Sequence, residues 1–143
     1  MESADDMHLE ISHAPDAGDV ARVRAGLMAY NESQVGPAQL DRIAIYLRGA
    51  ENEIRGGLVG FIAFGWMTVD LLWVDEPLRG RGHGTVLLRQ AEAIARDAGC
   101  VAVKLDTYEF QARPFYETLG YEVYGTLEGY PSDTRTYHLR KKL

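Results

Sequence analysis

Between an apolar run that ends at Val74 and a helix-period segment that begins near Leu87 lies the stretch Arg79-Gly80-Arg81-Gly82-His83-Gly84-Thr85. Few folds accommodate it. Glycine at alternate positions lets a backbone approach a ligand closely, and at the start of a helix it exposes amides that no intrahelical carbonyl accepts. Those amides and the positive end of the helix dipole favour an anion. Arg79, Arg81 and His83 add positive charge, and no acidic residue lies between Glu76 and Glu92. From these residues alone two readings stand: an anion-binding turn, or a tight strand-to-helix turn whose arginines are only solvated.

Spacing narrows the anion. A nucleoside-triphosphatase loop requires Gly, four residues, then Gly-Lys-Ser/Thr, and this stretch has no lysine. The dinucleotide fingerprint G-x-G-x-x-G requires glycine where Thr85 stands, and it follows a first parallel strand. Neither nucleotide pattern fits.

The rest of the chain reads as alternating strands and helices. His8 to His13 alternates with period two, as a strand with one buried face does. Pro15-Asp16 suits the first turn of a helix whose stripe is Val20, Val23, Leu27 and Tyr30, and Asn31 to Pro37 reads as a loop. A meander follows: Ile43, Ile45 and Leu47 alternate with polar neighbours, Gly49 to Asn52 has turn composition, and Leu58 to Phe64 forms a second strand. Gly65 turns the chain into Trp66 to Val74, whose run Val69-Leu71-Leu72-Trp73-Val74 predicts burial on both faces. Next, Leu87, Ala91, Ile94, Ala95 and Ala98 share a helix face, Arg89, Glu92 and Arg96 line the opposite one, and Gly99 caps the end. Cys100 to Leu105 is then a strand parallel to the one before the helix. A short helix over Gln111 to Leu119 requires Pro114 in its first turn. Tyr121 to Leu127, a turn at Gly129 to Asp133 and a strand from Thr134 to Leu139 precede the basic tail Arg140-Lys141-Lys142.

Composition sets outer bounds. The 143 residues are 46% apolar, enough for one domain, residues 1–143, with residues 1–7 a flexible N-terminal segment. A net charge of −6 argues against a general nucleic-acid or anionic-membrane binder. The one cysteine, Cys100, excludes an intramolecular disulfide and suits a reducing compartment; with no His partner pattern it reads as a small buried hydrophobe. His8 and His13 have no metal-ligand spacing, so no metal is expected. No apolar run reaches the ~18 residues of a membrane span, and Met1 to Asp6 is acidic, so the expected location is the cytoplasm.

Arg79-Gly80-Arg81-Gly82-His83-Gly84 resembles the signature R/Q-x-x-G-x-G/A of the GNAT superfamily of acetyl-CoA-dependent N-acetyltransferases. Leu72-Trp73-Val74 with Asp75-Glu76 and Pro77-Leu78 is similar to that family's fourth strand and turn, and Leu87-Leu88 with Ala91-Glu92 to its third helix. Phe115-Tyr116-Glu117-Thr118-Leu119-Gly120-Tyr121 resembles its aromatic-Tyr-x-x-x-Gly-aromatic segment. Element order agrees across nearly the whole chain. The resemblance implies a mixed α+β fold: a six- to seven-stranded, mostly antiparallel sheet flanked by helices, in which the family's fourth and fifth strands run parallel and splay apart.

It also implies roles. The main chain of Leu72, Trp73 and Val74 would pair with the pantetheine arm of acetyl-CoA. The amides of Arg81, Gly82, His83, Gly84 and Thr85, in the turn that Gly80 opens, would cradle its pyrophosphate, with Arg79 and Arg81 in reach of phosphate oxygens. Tyr116 would donate a proton to the departing thiolate; as residues alone, Tyr116 and Phe115 could equally be core aromatics. The family often has asparagine seven positions before this tyrosine and alanine four before. Here Glu109 and Ala112 stand there, so no role carries to residue 109, and Gln111 is the nearest amide. Asp70, flanked by Val69 and Leu71, is the candidate general base, ahead of His138 and Glu128; a carboxylate in an apolar strand needs a partner or a function, and pairing with an arginine or facing solvent are the other readings. The short connection Asn31 to Leu40 leaves the acceptor side open or completed by a partner subunit, as in a homodimer. Glu128, Tyr130 and Asp133 near it suit a cationic amine. A protein of the same fold that binds CoA or acyl-CoA without turnover is the alternative.

Overall fold

The computed structural model describes Met1 and residues 3–143, in two units, Met1–Pro37 and Ala38–Leu143. The first unit carries the α-helix α1, over Ala17–Val35. Asp16 caps it, its carboxylate accepting from the amides of Gly18 at 2.9 Å and Asp19 at 3.1 Å. The helix runs through Asn31–Val35, where the sequence predicts a loop, because no breaker occurs before Gly36, which takes φ 91°. The strand expected over His8–His13 does not form: residues 8–13 are exposed and lie in no ladder. Alternation marks a strand only where a neighbour supplies hydrogen bonds, and none of the described strands pairs with these residues.

The second unit carries β1 (Asp41–Arg48), β2 (Ile54–Ala63), β3 (Trp66–Val74), α2 (His83–Asp97), β4 (Ala102–Tyr108), α3 (Arg113–Thr118), β5 (Glu122–Glu128) and β6 (Arg135–Lys142). Its sheet has the order β1-β2-β3-β4-β6-β5. Only β3 and β4 are parallel, over Trp66–Val69 against Ala102–Leu105, joined by α2; the other pairs are antiparallel. This is the expected mixed fold, with six strands. Phe64 and Gly65, both at positive φ, make the two-residue turn between β2 and β3.

The core forms where one sheet face meets α2. Leu58, Met67, Leu88, Val103 and Leu139 are fully buried there, each contributing about 1.5–3 kcal/mol relative to exposure. Three expectations are corrected. Glu92, assigned to the solvent face of α2, is completely buried between Leu88 and Ala95. Lys141, assigned to a tail, belongs to β6 and binds the Glu92 carboxylate at 3.0 Å and 3.1 Å. Burying a glutamate is tolerable because this lysine, the Tyr121 hydroxyl and Arg89 satisfy it. Finally, β3 is not buried on both faces along its length. Leu71 and Trp73 are exposed, because they alternate with Leu72 and Val74, which pack against the core from the other face.

Candidate active site

The site begins at an irregularity in β3. On β2, Gly60 pairs with Val69 and Val59 with Leu71, which leaves Asp70 as an extra residue, a β-bulge. A bulge bends its strand and re-aims side chains. Directly beside it the parallel ladder ends, at Val69 opposite Leu105. From there β3 and β4 part, and the β4-side edge of Leu71 to Val74 has no ladder partner. An extended ligand can hydrogen-bond to such an edge. Arg55 and Asp75 brace the far end of β3: the guanidinium donates to the carboxylate at 2.8 Å, and the Asp75 amide donates to the Arg55 carbonyl at 2.8 Å.

Next comes the glycine turn. Gly80 and Gly82 adopt φ 76° and 86°, left-handed values that cost other residues about 1–2 kcal/mol. Nothing lies within 4 Å of where a Cβ would stand at either, so backbone conformation alone demands glycine there. Gly84 answers to space instead, since a Cβ would sit 3.3 Å from Phe115 Cζ. Gly82 precedes α2 with no side-chain cap, which leaves the first-turn amides of the 15-residue helix open. Arg79 folds back, its Nε donating to the Val74 carbonyl at 2.9 Å. Arg81 is exposed and makes no side-chain hydrogen bond or ion pair among the described residues.

Strand end, turn and α3 enclose a cavity of about 530 Å³ lined by Leu72, Trp73, Val74, Leu78, Arg79, Gly80, Gly82, His83, Gly84, Thr85, Ala112, Phe115 and Tyr116. The arrangement suits a long ligand with an anionic end. An open strand edge leads to a turn of free amides under a helix N-terminus, with arginines beside it. Of the binding residues expected from sequence, all but Arg81 and Gln111 line this cavity.

Tyr116 sits at its inner end, 7% exposed, on α3. Pro114 falls in the first turn of that helix, as required. The ring meets Phe115 at 5.1 Å and Tyr121 at 6.0 Å, both edge-on. Its hydroxyl has no hydrogen-bond partner among the described residues, yet no unpartnered buried side-chain oxygen exists there, so the oxygen opens to the cavity. Burial pushes the phenol pKa up from the ordinary value, which keeps its proton in place. Sequence reading missed the support behind it: Glu92 Oε2 accepts from the Tyr121 hydroxyl at 2.9 Å, and Tyr121 packs on Tyr116. The signal was present, since residues 88, 92 and 95 fall on one helical stripe.

Tyr116 also borders a second cavity, of about 490 Å³, with Asp70, Leu71, Asp106, Thr107, Phe110 and Gln111 among its lining. Asp70 is exposed at the bulge, without a side-chain partner among the described residues. Gln111 is engaged locally, its Oε1 accepting from the Tyr108 amide at 2.7 Å and Thr107 Oγ1 at 3.1 Å. Glu109 accepts from the Arg135 amide at 3.1 Å and so ties the loop to β6. Asp70 and Asp106 border a third cavity too, of about 230 Å³, with Thr68, Lys104, Tyr124 and His138. Cys100 is buried, and desolvation pushes its thiol pKa up, which suits packing rather than nucleophilic attack. Among the described residues, no three His, Cys, Asp or Glu side chains gather to hold a metal, and no helix is long and apolar enough to cross a membrane.

Residues 24–121 match the model of the acetyltransferase (GNAT) family. A blasticidin-S acetyltransferase of Streptomyces morookaense is 41% identical over 105 residues, 73% of this chain and 77% of that protein. A solved structure from Agrobacterium tumefaciens superposes with a TM-score of 0.90 at 35% identity, over 96% of this chain and 100% of the other. The 1.9 Å crystal structure of an acetyltransferase from Bacillus cereus gives 0.84 at 30% identity, over 96% and 98%.

Proposed function

This chain belongs to the acetyltransferase (GNAT) family, and from that premise we propose that it moves the acetyl group of acetyl-CoA onto a primary amine, by direct attack while both are bound. The observation that carries this reading is Tyr116: a buried ring with an open hydroxyl, at the inner end of a cavity that begins in free amides. Acetyl-CoA supplies the thioester carbon that the amine attacks. The edge of Leu72 to Val74 holds the pantetheine arm, and the amides from Gly82 to Thr85 meet the pyrophosphate, with Arg81 free to join them. Arg79 frees the Val74 carbonyl when it turns toward phosphate. As the C–N bond forms and the C–S bond breaks, the Tyr116 hydroxyl donates its proton to sulfur. Asp70, the base expected from the sequence, stands exposed at the parting of β3 and β4, where we read it instead as meeting the positive charge of the incoming amine.

The test uses acetyl-CoA with blasticidin S, the compound in the name of the 41%-identical relative, and with a panel of polyamines, amino acids and lysine peptides. Thiol release with at least one amine is the expected result. Tyr116→Phe should lower turnover about 10²–10⁴-fold while acetyl-CoA affinity, read by calorimetry, stays within about twofold. Equal turnover in this variant would remove the acid role, and tight binding without turnover on any amine would make the protein a CoA-binding module.

A further inference from the structure

The far side of the parting strands holds a pair of titratable groups that acyl transfer as described leaves unused. Asp106 on β4 and His138 on β6 are direct ladder partners, and His138 Nδ1 lies 2.6 Å from Asp106 Oδ1. In the neutral imidazole, a carboxylate at Nδ1 favours the tautomer whose Nδ1–H donates to it and whose Nε2 carries the lone pair. The imidazole is half-buried and lines the same small cavity as Asp70 and Asp106. Those two aspartates also line the cavity that Tyr116 borders, so the two cavities share Asp70 and Asp106 in their walls, beside the point where β3 and β4 separate.

An amine at that opening arrives mostly as an ammonium at neutral pH and has no lone pair for attack until a proton leaves it. We propose that His138, held by Asp106, is the general base that takes this proton from the acceptor, through water in the cavity. The inference rests on the acetyl-transfer reading and adds to it the residue that activates the nucleophile. Asp70 keeps the role of attracting the cation, and the imidazole, oriented and flanked by opposite charge, accepts the proton. The balance closes. The ammonium loses one proton to His138 and becomes the neutral amine; the C–N bond forms and the C–S bond breaks; Tyr116 protonates the thiolate. The second proton on nitrogen leaves to solvent, from which Tyr116 is restored, and His138 returns its own proton to solvent.

The groups facing the imidazole come from four strands. Asp106 and Lys104 stand on β4 and Asp70 and Thr68 on β3, while Arg140, two residues beyond His138 on β6, is paired with Glu122 of β5 at 3.2 Å. Tyr124 of β5 stands with its ring 6.1 Å from the imidazole and the Arg140 guanidinium 5.3 Å from its own centroid. Of these, Asp106 is the one in contact with the imidazole.

The experiment is the pH dependence of acetyl transfer to the best amine of the panel, for the wild type, His138→Gln and Asp106→Asn. At about pH 6.5 we expect His138→Gln to be roughly 100-fold slower in kcat/KM, and Asp106→Asn about tenfold. The defect should shrink steadily as pH approaches the pKa of the amine, because solvent then removes the proton, and acetyl-CoA affinity should be unchanged throughout. A defect equal at all pH values means a structural role and overturns the base, as does an undiminished rate at low pH. Imidazole ¹⁵N shifts test the dyad without turnover: the Nδ1–H tautomer is expected, and the Nε2–H tautomer would overturn it. A wild type that acetylates no amine removes the transfer reading and the base together, whereas a wild type with flat variant profiles removes the base alone.

Discussion

Glu92 and the two tyrosines beyond it show how much single side chains do here. The carboxylate is fully buried and Lys141, its partner, is 14% exposed in its side chain, so neither ion can fall back on water. Glu92→Ala would strand Lys141 and the Tyr121 hydroxyl, at a cost of about 3–5 kcal/mol in denaturant unfolding. A loss below about 1 kcal/mol would mean that the network is incidental. Tyr116 and Tyr121 both have pKa values raised by burial, and for Tyr121 the neighbouring Glu92 adds to it. The folded state therefore holds these protons more tightly than the unfolded chain. The stabilisation is complete below the ordinary tyrosine pKa of about 10 and is lost as pH rises from there toward the folded values. Melting temperatures should fall on that alkaline side, and the double variant Tyr116→Phe, Tyr121→Phe should flatten the fall; an unchanged slope would contradict it. The tyrosine stood out in the sequence through its segment with Phe115 and Gly120. Glu92 did not, because a charged residue on a helix is normally solvated and its lysine lies 49 positions away.

Among the elements, β3 shapes the candidate site. Its bulge at Asp70 lies where the strand pair parts, and Gly60 across from it has no room for a side chain: a Cβ would run into the Thr68 carbonyl oxygen. Gly60→Ala should therefore cost about 1–3 kcal/mol in stability and weaken acetyl-CoA binding as well, since the bulge must shift. A stable variant with intact affinity would show that the bulge is not what holds the strands apart. The glycine turn after β3 was readable because its conformation leaves a residue-type signature. The bulge left only broken alternation, six apolar residues among the eight from Met67 to Val74, which also fits a strand buried on both faces. At the N-terminus, His8–His13 alternated without a ladder to join, and α1 outran its predicted end because only Gly36 and Pro37 could stop it. Pattern reports what a segment can become, and pairing decides.

Across the whole chain, a net charge of −6 coexists with a site for an anion. Under the proposed reading locality reconciles the two, since the open amides of the α2 N-terminus, with Arg79 and Arg81 beside them, would meet a phosphate directly, while the acidic remainder acts at a distance and is screened by salt. A cationic acceptor should accordingly show a KM that rises several-fold between about 0.05 and 0.5 M salt, with kcat nearly constant. A salt-independent KM would mean that long-range charge plays no part in acceptor capture. The fold class and the family were legible in the sequence because they rest on local motifs; the Asp106–His138 pair was not, because residues 32 positions apart meet only through the β4–β6 ladder. What remains central is transfer itself. Acetyl-CoA incubated with the protein and the amine panel, with both products quantified by mass spectrometry, should yield acetylated amine and free CoA in equal amounts, and Tyr116→Phe should suppress both together. Acetyl-CoA that binds and is recovered intact with every amine would contradict the account.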